Sequence, residues 1–449
     1  MIVLSAESLI VFFYKVWKFC SFILPNLCIW IIIHTMNNYT NIYHERWLTS
    51  LLQNAIRDHP VIVLTGARQV GKSTLLSNAE PFRNWRFRTL DDFDVLEQAH
   101  SNPESLWAGT NQVILDEVQK APELLLAVKK TVDRNPGKYQ FVLSGSANLL
   151  LMKQVSESLA GRAVYFVLDP MSVGEMNDQP QPDILARLLN GEFPEESSLT
   201  LGPPDPTESI LRGFMPPLLS LDSPQAWTRW WEGYIATYLE RDLRQVAQID
   251  ALLDFRRVME LAALRSAQLI NQSEISRDAG LSQPTTHRYL NLLETTHLFD
   301  RLPAYTANRT TRLLKSPKAF FNDPALAVFL SGYFELEDLR KSREYGAYFE
   351  TFIYHHLRIL TRLMTPSAHL YFWRTIEGNE VDFVLEYGRR LLAIEVKLTD
   401  NPGYRDTAGL RLFLQKHPKA SGGLIIYGGK EIKRLDEKIV AIPWALVTG

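Results

Sequence analysis

The feature that most constrains this chain is a nine-residue loop, GARQVGKST, set between an apolar run, VIVLT, and a helix-forming stretch, KSTLLSNA. Gly66, Gly71, Lys72 and Ser73 fill the fixed places of G-x-x-x-x-G-K-[ST], with Ala67, Arg68, Gln69 and Val70 between the glycines and Thr74 after the serine. A polyphosphate bound there needs several converging backbone N–H donors. Side chains would obstruct them, so glycine stands where the main chain must come close. The helix that follows adds the partial positive charge of its N-terminus. The spacing assigns Lys72 to the β and γ phosphates of a nucleoside triphosphate, and the Ser73 hydroxyl to its magnesium ion. ATP and Mg²⁺ are the expected ligands.

Forty-four residues beyond Lys72, the apolar strand QVILDE ends in Asp116 and Glu117. An acid at that strand end suits the metal, so Asp116 is expected to join Ser73 as a magnesium ligand and Glu117 to polarise the attacking water. The next strand, YQFVLSGS, ends in Ser144 and Ser146, one of which is expected to sense the γ phosphate. Arg162, in SLAGR, is a candidate arginine finger or γ-phosphate sensor. Strand candidates alternating with helices such as PELLLAVKKTVDR predict an α/β fold, a parallel sheet covered on both faces.

At 449 residues the chain exceeds one ordinary core, and three folded units are expected. The spacing places an ATPase core at 36–175, a linker and aromatic helical segment at 176–250, a helix-turn-helix unit at 251–323 and a second α/β unit at 345–449. Within the linker, the proline- and acid-rich stretch 177–206 reads as a surface excursion. Trp227, Trp231, Tyr234 and Tyr238 recur at helical spacing, as core packing does. A net charge of −2 excludes a protein-wide basic coat, so nucleic acid would have to meet a local patch. Both cysteines, Cys20 and Cys28, lie in an apolar leader, 1–35, leaving the remainder without disulfide or thiolate metal site, as suits a cytoplasmic protein. The longest uncharged apolar run in the leader, Phe19 to Ile33, is 15 residues, short of a membrane span, and contains Pro25. Translation is therefore expected to begin near Met36, and membrane insertion is not expected.

These motifs together resemble a group of prokaryotic AAA-type ATPases that carry a C-terminal domain of uncharacterised function. The resemblance runs from about residue 42 onward and rests on LTGARQVGKSTLL, VILDEVQ, FVLSGSANLL, ESLAGR, YLERDLRQV, the run from Ser282 to Asp323, and EVDFVLE with AIEVKL. It implies a winged-helix segment and a restriction-endonuclease-like fold.

Both have signals of their own. NQSEISRDAGLSQPTTHRYLNLLETTHLF reads as a short helix, a turn at Gly280 and a longer helix, the grammar of a helix-turn-helix. The second helix is expected to expose Thr285, Thr286, His287 and Arg288, with Arg309, Arg312, Lys315 and Lys318 following in a wing. Residues 271–318 hold seven basic against four acidic side chains, a mild excess suited to DNA phosphates. Towards the C-terminus, Asp382 lies on one predicted strand, while Glu395 and Lys397 lie two apart on the next and project from one face. With Glu350 on the preceding helix they are candidates for a magnesium-dependent phosphodiesterase centre. The leading expectation is a DNA-associated ATPase whose nucleotide state gates a nuclease-like domain. Its alternatives are a nucleotide-dependent switch whose C-terminal domain binds without cutting, and a membrane-tethered ATPase. A homo-oligomer is a further expected assembly.

Overall fold

A computed structural model of the protein describes residues 43–145, 159–199, 203–237, 252–306, 308 and 316–449. The leader, Ser146, Tyr238, Arg309, Arg312 and Lys315 lie outside the described residues. Among those described, no helix is long and apolar enough to cross a membrane.

Helix α1 (Leu48–Asp58) leads into β1 (Val61–Thr65), which is buried along its whole length. Then come α2 (Lys72–Asn78), β2 (Arg86–Thr89), α3 (Phe93–Ser101), β3 (Gln112–Asp116), α4 (Leu124–Arg134), β4 (Gln140–Ser144) and β5 (Ala163–Val167). The five strands form one parallel sheet in the order β2-β3-β4-β1-β5. Continuous apolar strands fit a sheet covered on both faces. Because β4 lies between β1 and β3, the loop after β1 and the acid ending β3 flank the end of β4.

The aromatic helix α5 (Pro224–Thr237) buries Trp227, Trp231 and Tyr234. Helix α6 (Leu252–Ala263) then packs on α7 (Gln272–Ala279) and α8 (Gln283–Thr295). The Asn271 side chain caps α7 on the Ser273 N–H, Gly280 ends it at φ 70°, and Ser282 caps α8 on the Thr285 N–H. Strand β6 (Ser197–Ser198) precedes α5 in the chain, while β7 (Phe299–Leu302) and β8 (Lys318–Phe321) follow α8. The latter two pair antiparallel, and Leu302 faces Lys318.

The last part is built on α9 (Tyr345–Arg362), β9 (His369–Arg374), β10 (Glu380–Tyr387), β11 (Arg390–Lys397), α10 (Ala408–Lys416), β12 (Gly422–Tyr427), β13 (Glu431–Asp436) and β14 (Ile439–Pro443). Its mixed sheet runs β6-β13-β14-β12-β11-β10-β9. The stretch 177–206 is therefore not simply a surface excursion. It buries Ile184, Leu185, Leu188 and Leu189, hydrogen-bonds the Ser421 hydroxyl through the Leu189 carbonyl, and adds β6 to the edge of the sheet. Flanking prolines and acids mask that short apolar helix in composition. From Glu45 to Gly449 the chain is one compact unit, and one apolar core runs from Leu48 through Trp231 and Leu293 to Trp444. The three expected segments thus share a core.

Candidate active site

The phosphate loop is shaped by a close contact at Gly66 and by the backbone conformation at Gly71. Gly66 has φ 149°, and a Cβ there would lie 2.3 Å from the Leu168 carbonyl oxygen. Gly71, at φ 95°, opens α2 in the left-handed region. Gln69 and Thr74 are exposed, Arg68 is half-buried, and Ala67 and Val70 face the core. Arg46 braces the loop from behind: it donates to the Val70 carbonyl at 2.9 Å and the Asp169 carbonyl at 2.6 Å, and pairs with Glu175 at 3.2 Å.

Lys72 is buried and folds back over the loop, donating to the carbonyls of Gly66 at 3.1 Å and Ala67 at 2.9 Å. Burial lowers its pKa from the ordinary 10.5 to about 8, against the pull of Glu117 and Asp116. Asp116, at the end of β3, accepts the Ser73 hydroxyl on Oδ2 at 2.7 Å and the Ser144 hydroxyl on Oδ1 at 2.6 Å. One carboxylate thus ties the first turn of α2 to the end of β4. Ser73 and Asp116 are hard oxygen donors side by side, and this pair fits Mg²⁺. Glu117 is half-buried at φ 57°, and accepts a hydrogen bond from Gln119. Burial, then the neighbouring Asp116, raises its pKa.

Arg162 stands elsewhere. It precedes β5, whose Ala163 pairs with Val61 at the start of β1, and it is bound to Asp133 at the end of α4. Thr65, from which the phosphate loop departs, closes the far end of the five-residue β1, about 13 Å away at the rise of a strand. Arg162 belongs to the sheet edge opposite the loop.

Sequence reasoning missed Asp169, two residues past β5, although its place in FVLDP repeats the strand-end acid of QVILD. Asp169 is 6% exposed, pairs with Arg358, and accepts from Arg362 at 2.6 Å. Burial pushes its pKa up, and the two arginines more than reverse the push. Other residues of α9 hold the same segment: His355 Nε2 lies 2.8 Å from the Met171 carbonyl oxygen, and His356 Nε2 accepts from the Val173 N–H at 3.1 Å. Arg358 also pairs with Asp300 at 2.6 Å, and Asp300 accepts the Tyr354 hydroxyl at 2.8 Å. His297, just before β7, reaches the Thr65 hydroxyl at 3.4 Å. Burial lowers its pKa to about 4, so it stands there neutral.

Of the residues expected to face DNA, His287 and Arg288 are exposed and Thr285 is half-buried. Thr286 is a correction. It is fully buried and donates to the Ser282 carbonyl at 3.2 Å, because the first turn of α8 rotates it onto the packed face.

The four C-terminal candidates do come together. Asp382 accepts the Val396 N–H at 2.8 Å, and Lys397 donates to Glu395 at 2.7 Å. A fifth residue, however, is Lys318 of β8, whose ammonium lies 3.0 Å from Glu350, 3.5 Å from Asp382 and 2.5 Å from Glu380. Glu380 was legible, two places before Asp382 on the same strand face. Lys318 had no local signal, since its contacts are long-range.

Three family models match consecutive parts of the chain: an AAA domain over residues 58–177, a domain of unknown function (DUF8612) over 204–337 and another (DUF4143) over 345–447. Residues 58–177 are thus similar to an AAA-type P-loop ATPase domain. Uncharacterised proteins of Mycobacterium tuberculosis and Mycobacterium bovis are each 29% identical to it over 397 residues, 87% of this chain and 82% of theirs. One from Haemophilus influenzae is 22% identical over 438 residues, 90% of this chain and 98% of its own. Among solved structures, a Walker-type ATPase of Pyrococcus abyssi aligns with 64% of this chain and 96% of its own at TM-score 0.43 and 17% identity. The AAA match spans the loop, β3, β4 and β5, and ends just past the Asp169 segment that α9 grips.

Proposed function

We propose that this protein is a magnesium-dependent ATPase in which the AAA domain passes its nucleotide state to the C-terminal domain. The observation that carries hydrolysis is Asp116 between Ser73 and Ser144. Lys72 supplies fixed positive charge to the β and γ phosphates, Ser73 and Asp116 hold the metal, and Ser144 reports on the γ phosphate through Asp116. Bound magnesium would neutralise developing phosphate charge. Glu117, its carboxylate kept basic by burial, takes the proton of the attacking water.

The relay is supported by the grip of α9 on residues 169–173 and by the His297 contact with Thr65 at the root of the loop. A shift of that root on γ-phosphate loss displaces side chains of the two following segments, without any ligand shared between sites. Exposed His287 and Arg288 at the start of α8 favour DNA as the partner. Lys318 among the C-terminal acids favours a domain that binds without cutting. The test is phosphate release by the purified chain with ATP, Mg²⁺ and plasmid DNA, with DNA integrity followed in parallel. Turnover that disappears in Lys72→Ala, with intact plasmid, is the expected result. No turnover by the wild-type chain defeats the ATPase reading, and cut plasmid defeats the binding-only one.

A further inference from the structure

The carboxylate centre between α9, β10 and β11 collects Glu350, Glu380, Asp382 and Glu395, all at least partly buried. A divalent cation held by Glu350 and Asp382 would sit between their oxygens. Magnesium requires such oxygens at about 2.0–2.1 Å in near-octahedral array. The Lys318 ammonium already lies among them, 3.0 Å from Glu350, 3.5 Å from Asp382 and 2.5 Å from Glu380. An ammonium has three donors, one for each of these three carboxylates. While the ammonium occupies that place, Glu350, Glu380 and Asp382 do not fit a metal ion.

We propose that Lys318 is the resident cation of this centre and that, while β8 is docked, it excludes divalent metal. The lysine is delivered rigidly. Its backbone pairs with Leu302 of β7 on one side and bridges to Leu269 on the other, while the Pro317 carbonyl accepts the Ile270 N–H at 2.8 Å. Its side chain is 4% exposed, and its ammonium lies over the Phe372 ring, 6.0 Å from the ring centroid. Burial alone would lower its pKa, but Glu350, Asp382 and Glu380 hold it well above the ordinary lysine range, so it stays charged. Lys397 is engaged by Glu395, whose second oxygen is buried without a hydrogen-bond partner. Four acids thus face two ammonium groups and the Arg374 guanidinium, 3.7 Å from Glu380. Removing one ammonium leaves a deficit of positive charge that a divalent ion can fill.

The experiment is a titration of the full chain with Mn²⁺ in the absence of nucleotide, read by electron paramagnetic resonance of the free ion, for wild type, Lys318→Met, Lys318→Arg and Asp382→Asn. Wild type and Lys318→Arg are expected to bind no Mn²⁺ that Asp382→Asn removes. Lys318→Met is expected to gain one bound ion at sub-millimolar Mn²⁺. Thermal melting gives a second readout: Mn²⁺ should raise the midpoint of Lys318→Met by more than that of wild type, because an ion that binds only the folded state stabilises it and the Ser73–Asp116 pair is the same in both. One ion bound by wild type and lost in Asp382→Asn overturns the proposal without reference to any lysine variant. A folded Lys318→Met that gains no ion overturns it as well.

Discussion

Glu350 and Arg358 stand eight residues apart on one helix, α9, about 12 Å along its axis. One lies in the C-terminal carboxylate centre, the other against Asp169 beside the phosphate loop. A single rigid element therefore touches both centres. Asp169 is the weak point of this arrangement, because its removal leaves Arg358 buried with only Asp300 to balance it, and Arg362 without its partner. Breaking a buried pair by deleting one member costs about 3–5 kcal/mol. Asp169→Ala should lower the urea midpoint by a corresponding amount, and a midpoint equal to wild type would show that the pair does not hold the interface.

Lys72 gives a pH dependence whose sign is fixed. Its folded pKa, about 8, is below the ordinary 10.5 because burial disfavours the ammonium. Bound phosphates favour it, so the complex keeps the proton to higher pH than the free protein. ATP affinity should therefore be full below about pH 8 and fall above it by up to about tenfold per unit, with proton uptake on binding. Calorimetry in two buffers of different ionisation heat measures that uptake. Affinity that is flat from about pH 7.5 to about 9.5 would contradict the assignment.

Glu117 and Asp116 are adjacent in sequence, yet the chain separates their work. Asp116 is committed to two hydroxyls, while Glu117, in the left-handed region, leaves the strand and turns away. Glu117→Gln should keep nucleotide binding and slow hydrolysis by about 10²–10⁴, the range of a positioned base. A filter-binding assay beside single-turnover phosphate release separates the two effects, and unchanged release would remove Glu117 from the mechanism.

What could be read from residues alone follows the range of the interactions. The phosphate loop, the acid ending β3 and the serine ending β4 are local: each sits at the end of an apolar strand, and a parallel sheet brings strand ends to one edge. The pairing of α7 and α8 across a turn is local too, through its caps and Gly280. Lys318 was legible only as a wing residue, because its partner Asp382 lies 64 positions away on another sheet. Asp169 had a strand-end signal, but nothing in the sequence points to Arg358, 189 positions on. Thr286 was misplaced by one step of helical phase, the least a spacing argument can miss by.

Arg162 tests whether the sheet edge or the motif decides. Its guanidinium is spent on Asp133 in a two-point contact, at the end of the sheet where the chain enters β1 rather than where it leaves for the phosphate loop. Within one chain it is too far from a γ phosphate to sense or stabilise it. Arg162→Ala should leave turnover per chain unchanged at protein concentrations low enough to keep the chains apart. If turnover falls on the same substitution only as concentration rises, the arginine serves a neighbouring copy. A loss that does not depend on concentration would mean that the AAA domain closes far more than the register of β1 and β5 permits.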